Sequence, residues 1–499
     1  MRAAGCAMTP EQARAIYFAG QRAVVERLCE LEAQVQAGER KIEALERELA
    51  RRSKDSSNSS KPPSSDDITK PGKRAGQAVE AQGQGNHIGG QPGHPRHTRA
   101  PYPPETLGEV HDHQSAACPH CAGTDLVRLE DVPPRVTQQT EIEQIVVVRE
   151  EHRAYACRCE GCGAIHYAEL PESVHKEGLF KARLTALVAY MKNVCHASFS
   201  TIRKFLRDVV GERVSRGYLV KLIAKVSRSL ARPYEELLER IQLEATLNVD
   251  ETGHKDNGDR FWTWVFKAEL YVLFRIDKSR GSQVLIEVLG EEFEGTLGCD
   301  YFSAYRKFMK DFQVTVQFCI AHLIRDVKLL TTLPDLPTRT YGDKLLGALK
   351  ALFHVIHQHE TLPAEAFRTA LEQAKADIIR IGRDEAPSLI DAQGKERRRE
   401  AQNMAERFRK HAEAYFTFIT SPGMDPTNNV AEQAIRFVVI DRHVAQGTRS
   451  ANGRRANERL WTVIATCELQ GRSAFEFILQ AVEAEFYGRA PPSLLPAPP

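Results

Sequence analysis

Apolar residues between positions 9 and 50 fall on two seven-spaced series. One is Leu28, Val35, Ile42 and Leu49; the other is Tyr17, Val24, Leu31 and Leu45, with Gly38 in its gap. Their three-four alternation keeps one stripe of a helix facing a partner, which predicts a coiled-coil seam over 9–50. Thr9-Pro-Glu-Gln12 supplies the helix start: a threonine cap, proline in the first turn and glutamine at the reciprocal position. Gly38 weakens the seam by about 1 kcal/mol relative to alanine. An amphipathic helix packed on its own domain is the other reading of such a stripe. Self-association is favoured because the next segment offers nothing to pack against.

From Arg51 to Pro103 the pattern disappears. Seven serines, seven prolines and seven glycines share 53 residues, with Ile68, Val79, Ile88 and Tyr102 as the only large apolar side chains. Such a stretch buries too little surface to offset chain entropy, so 51–105 reads as a disordered, mildly basic linker. A cysteine-rich segment follows over 106–172. Apolar residues then recur at helical spacing over 177–235, broken at Gly211, and become strand-like from Leu243. A long, largely helical stretch covers about 340–420, and 466–499 reads as a C-terminal helix with a proline-rich tail.

Composition narrows the class. Of 499 residues, 27% are charged and 42% hydrophobic, a normal balance for a chain with cores. Lysine plus arginine (68) nearly cancels aspartate plus glutamate (66), so any affinity for nucleic acid must come from local patches. No apolar run approaches the roughly 18 residues needed to span a bilayer. The start also lacks the apolar core of a secretory signal. Eleven cysteines are too few for a disulfide scaffold, and five of them crowd into 118–162, which points to metal binding in a reducing cytoplasm.

Cys118-Pro-His-Cys121 and Cys159-Glu-Gly-Cys162 are two CxxC turns with 37 residues between them. Each aims two thiolates at one point, and two such turns complete a tetrahedral Zn²⁺ site. Glu141-Ile-Glu-Gln-Ile-Val-Val-Val-Arg149 between them reads as a strand of a small zinc ribbon. Cys157 is a possible substitute for Cys159, and His111, His113 and His120 rank below them. Four protein ligands leave no open position, so this zinc is structural.

Ser200 to Val209 is amphipathic, with Ile202, Phe205, Leu206 and Val209 on one face. Gly211 supplies a turn, and a second helix capped by Ser215 buries Leu219, Leu222, Ile223 and Val226 while exposing Arg216, Lys221 and Lys225. Two short helices with a basic second member match DNA-reading geometry; an ordinary helical hairpin is the bland alternative.

Ala245 to Asp250 is a short apolar strand ending on an aspartate. Phe261 to Phe266 and Tyr271 to Ile276 form a hairpin pair, Gln283 to Leu289 is helical, and Gly295 to Asp300 is another strand ending on an aspartate. A meander, a helix and a parallel returning strand are the ribonuclease-H-like order, which sets Asp250 beside Asp300. Hard oxygen ligands of this kind suit Mg²⁺ or Mn²⁺, and phosphoryl transfer uses two such ions about 3.5–4 Å apart. Glu432 is the best third carboxylate. It lies in a helix that begins after Pro426, capped by Thr427 or Asn428, with Arg436 one turn further on. Downstream, Arg436, Arg442, Arg449, Arg454, Arg455 and Arg459 outnumber Asp441 and Glu458. A basic run beside a metal-binding carboxylate provides the sequence-independent affinity a phosphate backbone requires. Arg442 to Ser450 reads as a flexible basic loop able to lie against DNA.

Together these parts resemble a transposase of the insertion sequence 66 family over nearly the whole chain. The resemblance rests on the heptad start, Ser59-Ser-Lys-Pro-Pro-Ser-Ser-Asp66, Gly90-Gln-Pro-Gly-His94 and the paired CxxC turns. It extends through Asp250-Glu-Thr252, Cys299-Asp-Tyr-Phe-Ser-Ala-Tyr305, Cys319-Ile-Ala-His-Leu-Ile-Arg-Asp326 and, most specifically, Thr427-Asn-Asn-Val-Ala-Glu-Gln-Ala-Ile-Arg436. It implies a multidomain α+β protein: coiled coil, linker, zinc ribbon, helix-turn-helix, and a ribonuclease-H-like α/β catalytic core over 243–465 with a helical insertion. It implies a DDE transposase in which Asp250, Asp300 and Glu432 hold two Mg²⁺ ions. His322 and Arg325 would contact phosphate or shape the site. Implied partners are double-stranded DNA at element ends and target, a second copy of the chain, and accessory proteins of the same element, in a bacterial cytoplasm near the nucleoid. The rival readings are a DNA-binding regulator or inactive remnant, and a nuclease that cleaves without joining. In the second aspartate motif, Gly298-Cys-Asp300 stands where the family commonly has Thr-Asp-Gly.

Overall fold

A computed structural model describes residues 9–52, 100–388 and 400–495, apart from 109, 114, 118, 130 and 141–146. Most of the expected linker, Cys118, most of the expected ribbon strand and the last four residues of the tail lie outside the described residues. Residues 68–151 form one unit; 1–67 together with 152–499 form the other.

In the first unit the described chain is irregular apart from one helical turn at Pro104–Thr106. Tyr102 and Gln138 bond reciprocally: the Tyr102 amide donates to Gln138 Oε1 at 2.7 Å, and Gln138 Nε2 donates to Tyr102 O at 3.2 Å. Residues 147–149 carry no strand pairing, so the described part of the expected ribbon strand is not one.

In the second unit the N-terminal helix is two helices. Thr9 and Gln12 form the expected reciprocal cap on α1 (Pro10–Phe18). Gly20, at φ +99°, then breaks the chain before α2 (Gln21–Arg52), whereas Gly38 sits inside α2. Left-handed backbone costs glycine nothing, so the break falls there. Leu28, Val35, Ile42 and Leu49 are more than half exposed, and the seam is uncovered within one chain.

A two-stranded hairpin, β1 (Ala156–Arg158) with β2 (Ile165–Tyr167), carries the second CxxC turn at its tip. Five helices follow: α3 (Glu172–Glu177), α4 (Ala182–Asn193), α5 (Phe199–Phe205), α6 (Arg216–Ser229) and α7 (Ala231–Arg240). Ser215 caps α6 by accepting the Tyr218 amide at 3.1 Å, and Leu219, Leu222, Ile223 and Val226 are buried. One face differs from the expected one. Leu206–Val210 is a π turn, which needs one more residue than an α turn, so Val210 is buried and Val209 is exposed.

The central sheet contains β3 (Thr246–Asp256), β4 (Asp259–Lys267), β5 (Val272–Asp277), β6 (Thr296–Cys299) and β7 (Thr315–Phe318), in spatial order β5-β4-β3-β6-β7. The first three pair antiparallel, and β3-β6 and β6-β7 are parallel. α8 (Gln283–Leu289) provides the crossover to β6, and α9 (Ser303–Phe312) the one to β7. β3 does not end at Asp250 as the sequence predicts. It continues six residues to a tight turn at Asn257-Gly258, both left-handed, the backbone a two-residue hairpin requires.

Between β7 and the helix bearing Glu432 stand α10 (Ile320–Leu330), α11 (Leu336–His357), α12 (Ala364–Asp384) and α13 (Glu400–His411). α14 (Asn429–Ala445) and α15 (Ala451–Leu469) cover one sheet face, where Ala431, Ile435, Val438 and Trp461 pack on Val265, Val272, Phe274 and Ile276. α15 also shields the exposed rim of the sheet. The outward amides of edge strand β5, at Val272, Phe274 and Ile276, donate to Thr466, Thr462 and Glu458 at 3.1, 3.0 and 2.7 Å. α16 (Ala474–Tyr487) is not a separate terminal element. It packs on α3, α4 and α6, with Tyr487 donating to Glu177 at 2.7 Å.

Candidate active site

The parallel ladder between β3 and β6 pairs Thr246 with Thr296 and ends at Asn248 with Gly298, while β3 stays paired to β4 through Asp256. The two strands therefore fork just before Asp250 and Asp300, two residues beyond the last pair. Gly298 leaves room at the fork: a Cβ there would stand 2.4 Å from Asn248 Nδ2 and 3.1 Å from Met424 Sδ and displace the Asn248 side chain. Local backbone fixes each aspartate. Asp250 Oδ1 accepts the Glu251 amide at 2.9 Å, and Asp300 Oδ1 accepts the Phe302 amide at 2.8 Å.

Glu432 reaches the fork on the first turn of α14. Asn428 holds the N-cap position without capping the helix. Its Oδ1 accepts from Asn248 Nδ2 at 2.9 Å and its Nδ2 donates to Val249 O at 2.8 Å, so the side chain ties α14 to β3. The Asn428 amide donates to Cys319 Sγ at 3.1 Å, and the Ile320 amide to Pro426 O at 2.9 Å, tying the same segment to the end of β7. Glu432 Oε2 lies 3.5 Å from Arg325, and Oε1 3.5 Å from His322 Nδ1.

Asp250, Asp300 and Glu251 hold protons unusually well. Burial pushes Asp250 well above the ordinary carboxylate range, and the charges of Glu251, Asp300 and Glu432 push it further. Burial raises Asp300 too, against a partial offset from His322. Glu251, raised to about 7 by burial and then by Asp300, sits on a platform of its own. It accepts from Arg280 at 2.8 Å and from Tyr305 Oη, and Arg280 is sandwiched between Trp262 and Phe302, 4.4 and 4.0 Å from their ring centres. Arg280, Tyr305 and Asn428 were not singled out as site residues from the sequence. Tyr305 and Asn428 lie inside the Asp300 and Glu432 motifs, a local signal that Arg280 lacks.

Several expected DNA contacts are occupied elsewhere. Lys225 is half-buried and donates to the carbonyls of Lys176 and Glu177 at 2.6 and 2.9 Å, completing the end of α3. Arg442 lies within α14 and donates to Gly253 O and to Thr252 Oγ1. Arg454 pairs with Asp256 and covers the Phe261 ring at 4.5 Å, and Arg459 donates to Ser227 O at 2.8 Å. The expected flexible loop is pinned to the β3-β4 hairpin. Thr448 exchanges backbone bonds of 2.9 and 2.8 Å with Lys255 and Asn257, and its hydroxyl donates to Asp256 at 2.7 Å. Arg216, Lys221, Arg436, Arg449 and Arg455 remain exposed, Arg216 donating to Ser200 at 2.7 Å.

At the hairpin tip the Cys159 amide donates to Ala164 O and the Gly163 amide to Cys159 O, both at 2.8 Å. The amide and thiol of Cys162, and then the amide of Gly161, lower the Cys159 thiol pKa, the surroundings a metal-binding thiolate needs. Cys157 instead lies in β1, opposite His166. Cys121, Cys157, Cys159 and Cys162 are all exposed.

The chain has a mixed α+β fold, and its family makes it a DNA-processing enzyme in general character. It belongs to the IS66 transposase family, whose model matches residues 177–456, more than half of the chain. Residues 8–100 match a family of unknown function, DUF6444. The chain is also similar to "Uncharacterized protein y4qI" of Sinorhizobium fredii (strain NBRC 101917 / NGR234), at 25% identity over 400 residues, covering 72% of this chain and 69% of that protein. No helix among the described residues is long and apolar enough to cross a membrane.

Proposed function

We propose that the protein binds the ends of its insertion sequence and catalyses strand cleavage and strand transfer, with Asp250, Asp300 and Glu432 as a DDE triad. One observation carries the reading: Asp300, at the forked parallel strand pair, and Glu432, on a returning helix 182 residues away in sequence, both act electrostatically on buried Asp250. The strand order β5-β4-β3-β6-β7, interrupted by helices before α14, supports a ribonuclease-H-like core with a helical insertion.

The residues fit a divalent cation. Burial raises Asp250 and Asp300, neighbouring carboxylates raise Asp250 further, and buried Glu432 Oε1 has no hydrogen-bond partner among the described residues, so a cation would relieve all three. When bound there, two Mg²⁺ (or Mn²⁺) ions supply the charge neutralisation that phosphoryl transfer requires. Asp250, Asp300 and Glu432 hold the reacting phosphate's surroundings in place. The Glu251-Arg280-Tyr305 platform keeps β3 rigid behind Asp250, and exposed Arg436, Arg449 and Arg455 bind backbone phosphate. Arg216 and Lys221 on α6 read double-stranded DNA. Water then opens the phosphodiester at an element end, and the freed 3′-hydroxyl joins target DNA. End-containing DNA with Mg²⁺ should give joined products; cleaved but unjoined products would mean a nuclease, and binding without cleavage a regulator or inactive remnant.

Cys118, Cys121, Cys159 and Cys162 hold a structural Zn²⁺, with Cys157 outside the ligand set. Metal analysis should show that Cys159→Ser loses one zinc equivalent and Cys157→Ser none; the reverse result assigns the ligand to Cys157. The uncovered seam of α1 and α2 pairs with a second copy of the chain. A chain starting at Ser53 should sediment as a smaller species than the full chain, and an unchanged oligomer refutes the seam. Accessory proteins of the same element and a location at the bacterial nucleoid complete this reading.

A further inference from the structure

Cys319-Ile-Ala-His322 joins β7 to α10, with Cys319 at the N-cap position. Three amides point at the Cys319 sulfur: Asn428 at 3.1 Å, and those of His322 and Ala321 in the first turn of α10. These amides partly offset burial, which pushes the Cys319 thiol up to about 11, so the metal-free site holds a thiol and a bound cation would favour its thiolate. The backbone around it is fixed, since the Cys319 amide donates to Cys299 O at 2.8 Å. Cys319 is 1% exposed and His322 8%.

Glu432 closes the third side. One ligand atom from each of Cys319, His322 and Glu432 lies within 4.8 Å of the others. His322 Nδ1 and Glu432 Oε1 are 3.5 Å apart, too long for a good hydrogen bond. Tetrahedral bonds of about 2.0–2.2 Å put neighbouring ligand atoms about 3.3–3.6 Å apart, so the spacing suits a shared metal. Both atoms are buried and have no hydrogen-bond partner among the described residues. Orphaned buried atoms cost about 1–3 kcal/mol each, and a ligand removes that cost. Thiolate, imidazole and carboxylate form a borderline-soft donor set that suits Zn²⁺, whereas Mg²⁺ takes oxygen.

We propose that Cys319, His322 and Glu432 form a second Zn²⁺ site, separate from the CxxC turns, which draws Glu432 out of the acidic triad. The metal site stands on geometry alone; its regulatory consequence rests on the transposase reading. Binding releases the Cys319 thiol proton to solvent and moves the single ring proton of the neutral His322 from Nδ1 to Nε2. Arg325, which faces Nε2 at 3.4 Å and Glu432 Oε2 at 3.5 Å, must then turn away. Arg325 thereby opposes zinc and favours the metal-free arrangement. Zinc supply would restrain strand transfer by occupying a residue that the reaction needs.

Co²⁺ added to the full-length protein is the direct probe, because cobalt bound to thiolate shows a charge-transfer band. The wild type should bind one equivalent of Co²⁺ that Cys319→Ser does not, with the corresponding loss of charge-transfer intensity. Glu432→Gln, which keeps the thiolate, should retain the band but require at least about tenfold more Co²⁺. Arg325→Gln should bind Co²⁺ more tightly than the wild type. Equal Co²⁺ uptake and equal spectra for wild type and Cys319→Ser overturn the site, as does Glu432→Gln titrating like the wild type. In the Mg²⁺-supported joining assay, added Zn²⁺ should inhibit the wild type in step with occupancy. A Cys319-dependent cobalt band without any joining activity removes the transposase reading and keeps the zinc site. Joining activity without a Cys319-dependent band does the opposite.

Discussion

Asp250→Asn is expected to abolish strand transfer and at the same time make the metal-free protein more stable. On the catalytic side, an amide in place of the carboxylate removes one hard anionic ligand of the triad, and loss of a comparable electrostatic group costs roughly a thousandfold in rate. On the stability side, the Asp250 carboxyl binds its proton more tightly folded than unfolded, because burial and the charges of Glu251, Asp300 and Glu432 disfavour ionisation. Ionising it in the fold therefore costs free energy. That cost is absent below the unfolded-state pKa of about 3.9 and grows as pH rises through the folded value. Asp300 is displaced in the same direction, and Glu251, raised to about 7, extends the window toward neutrality. The metal-free wild type should lose stability as pH rises from about 4 to 7, and Asp250→Asn should lose less over the same range. Mg²⁺ should raise the Tm of the wild type by binding the native state, and raise that of the variant much less. Thermal melts at several pH values, with and without Mg²⁺, check both halves. A variant less stable than the wild type at pH 7 without metal would falsify the view that repulsion is stored at the fork.

The sequence carried the sheet further than it carried the charges. Asp250 and Asp300 were legible because each ends an apolar run, and the meander-helix-strand order alone sets them side by side. The fork between them was not legible, since it depends on β3 staying paired with β4 after β6 has left, a non-local matter of register. Asn257-Gly258, a strong local hairpin signal, did mark the true end of β3. Positive charge is less free in the fold than in the sequence. Lys225, Arg442 and Arg454 look like free cations in a list of residues, yet each has carbonyls or a carboxylate waiting in a distant segment. Half-buried cations are kept by such partners, and no window of sequence contains both ends of the bond. Glu458, Thr462 and Thr466 present the same difficulty. Their four-residue spacing reads as polar decoration on an apolar helix, and becomes meaningful once β5 offers its unpaired amides opposite them.

Asn428→Ala should fold less stably and transfer strands roughly a hundredfold more slowly, although Asn428 touches no reacting group. The side chain is 1% exposed and makes two bonds to β3, accepting from Asn248 and donating to Val249 O. Alanine leaves a buried carbonyl and an amide unsatisfied, at about 1–3 kcal/mol each, so a loss of roughly 2–4 kcal/mol in denaturant melts follows. The kinetic effect comes from position. Glu432 stands one turn beyond Asn428 on α14, and these bonds fix the start of that helix beside the residue preceding Asp250. Without them the helix start relies on the Asn428 amide to Cys319 Sγ and on the Ile320 amide to Pro426 O, both at the far side of the fork. A shift of about 1 Å in a positioned catalytic group costs on the order of a hundredfold. Asn248→Ala is the discriminating comparison. It removes one of the two bonds but keeps Asn428 Nδ2 on Val249 O, so its rate should fall much less than that of Asn428→Ala. Equal rates for Asn428→Ala and wild type, in protein shown to be folded, would mean that the packing of Ala431 and Ile435 on the sheet, rather than the asparagine tie, sets the position of Glu432.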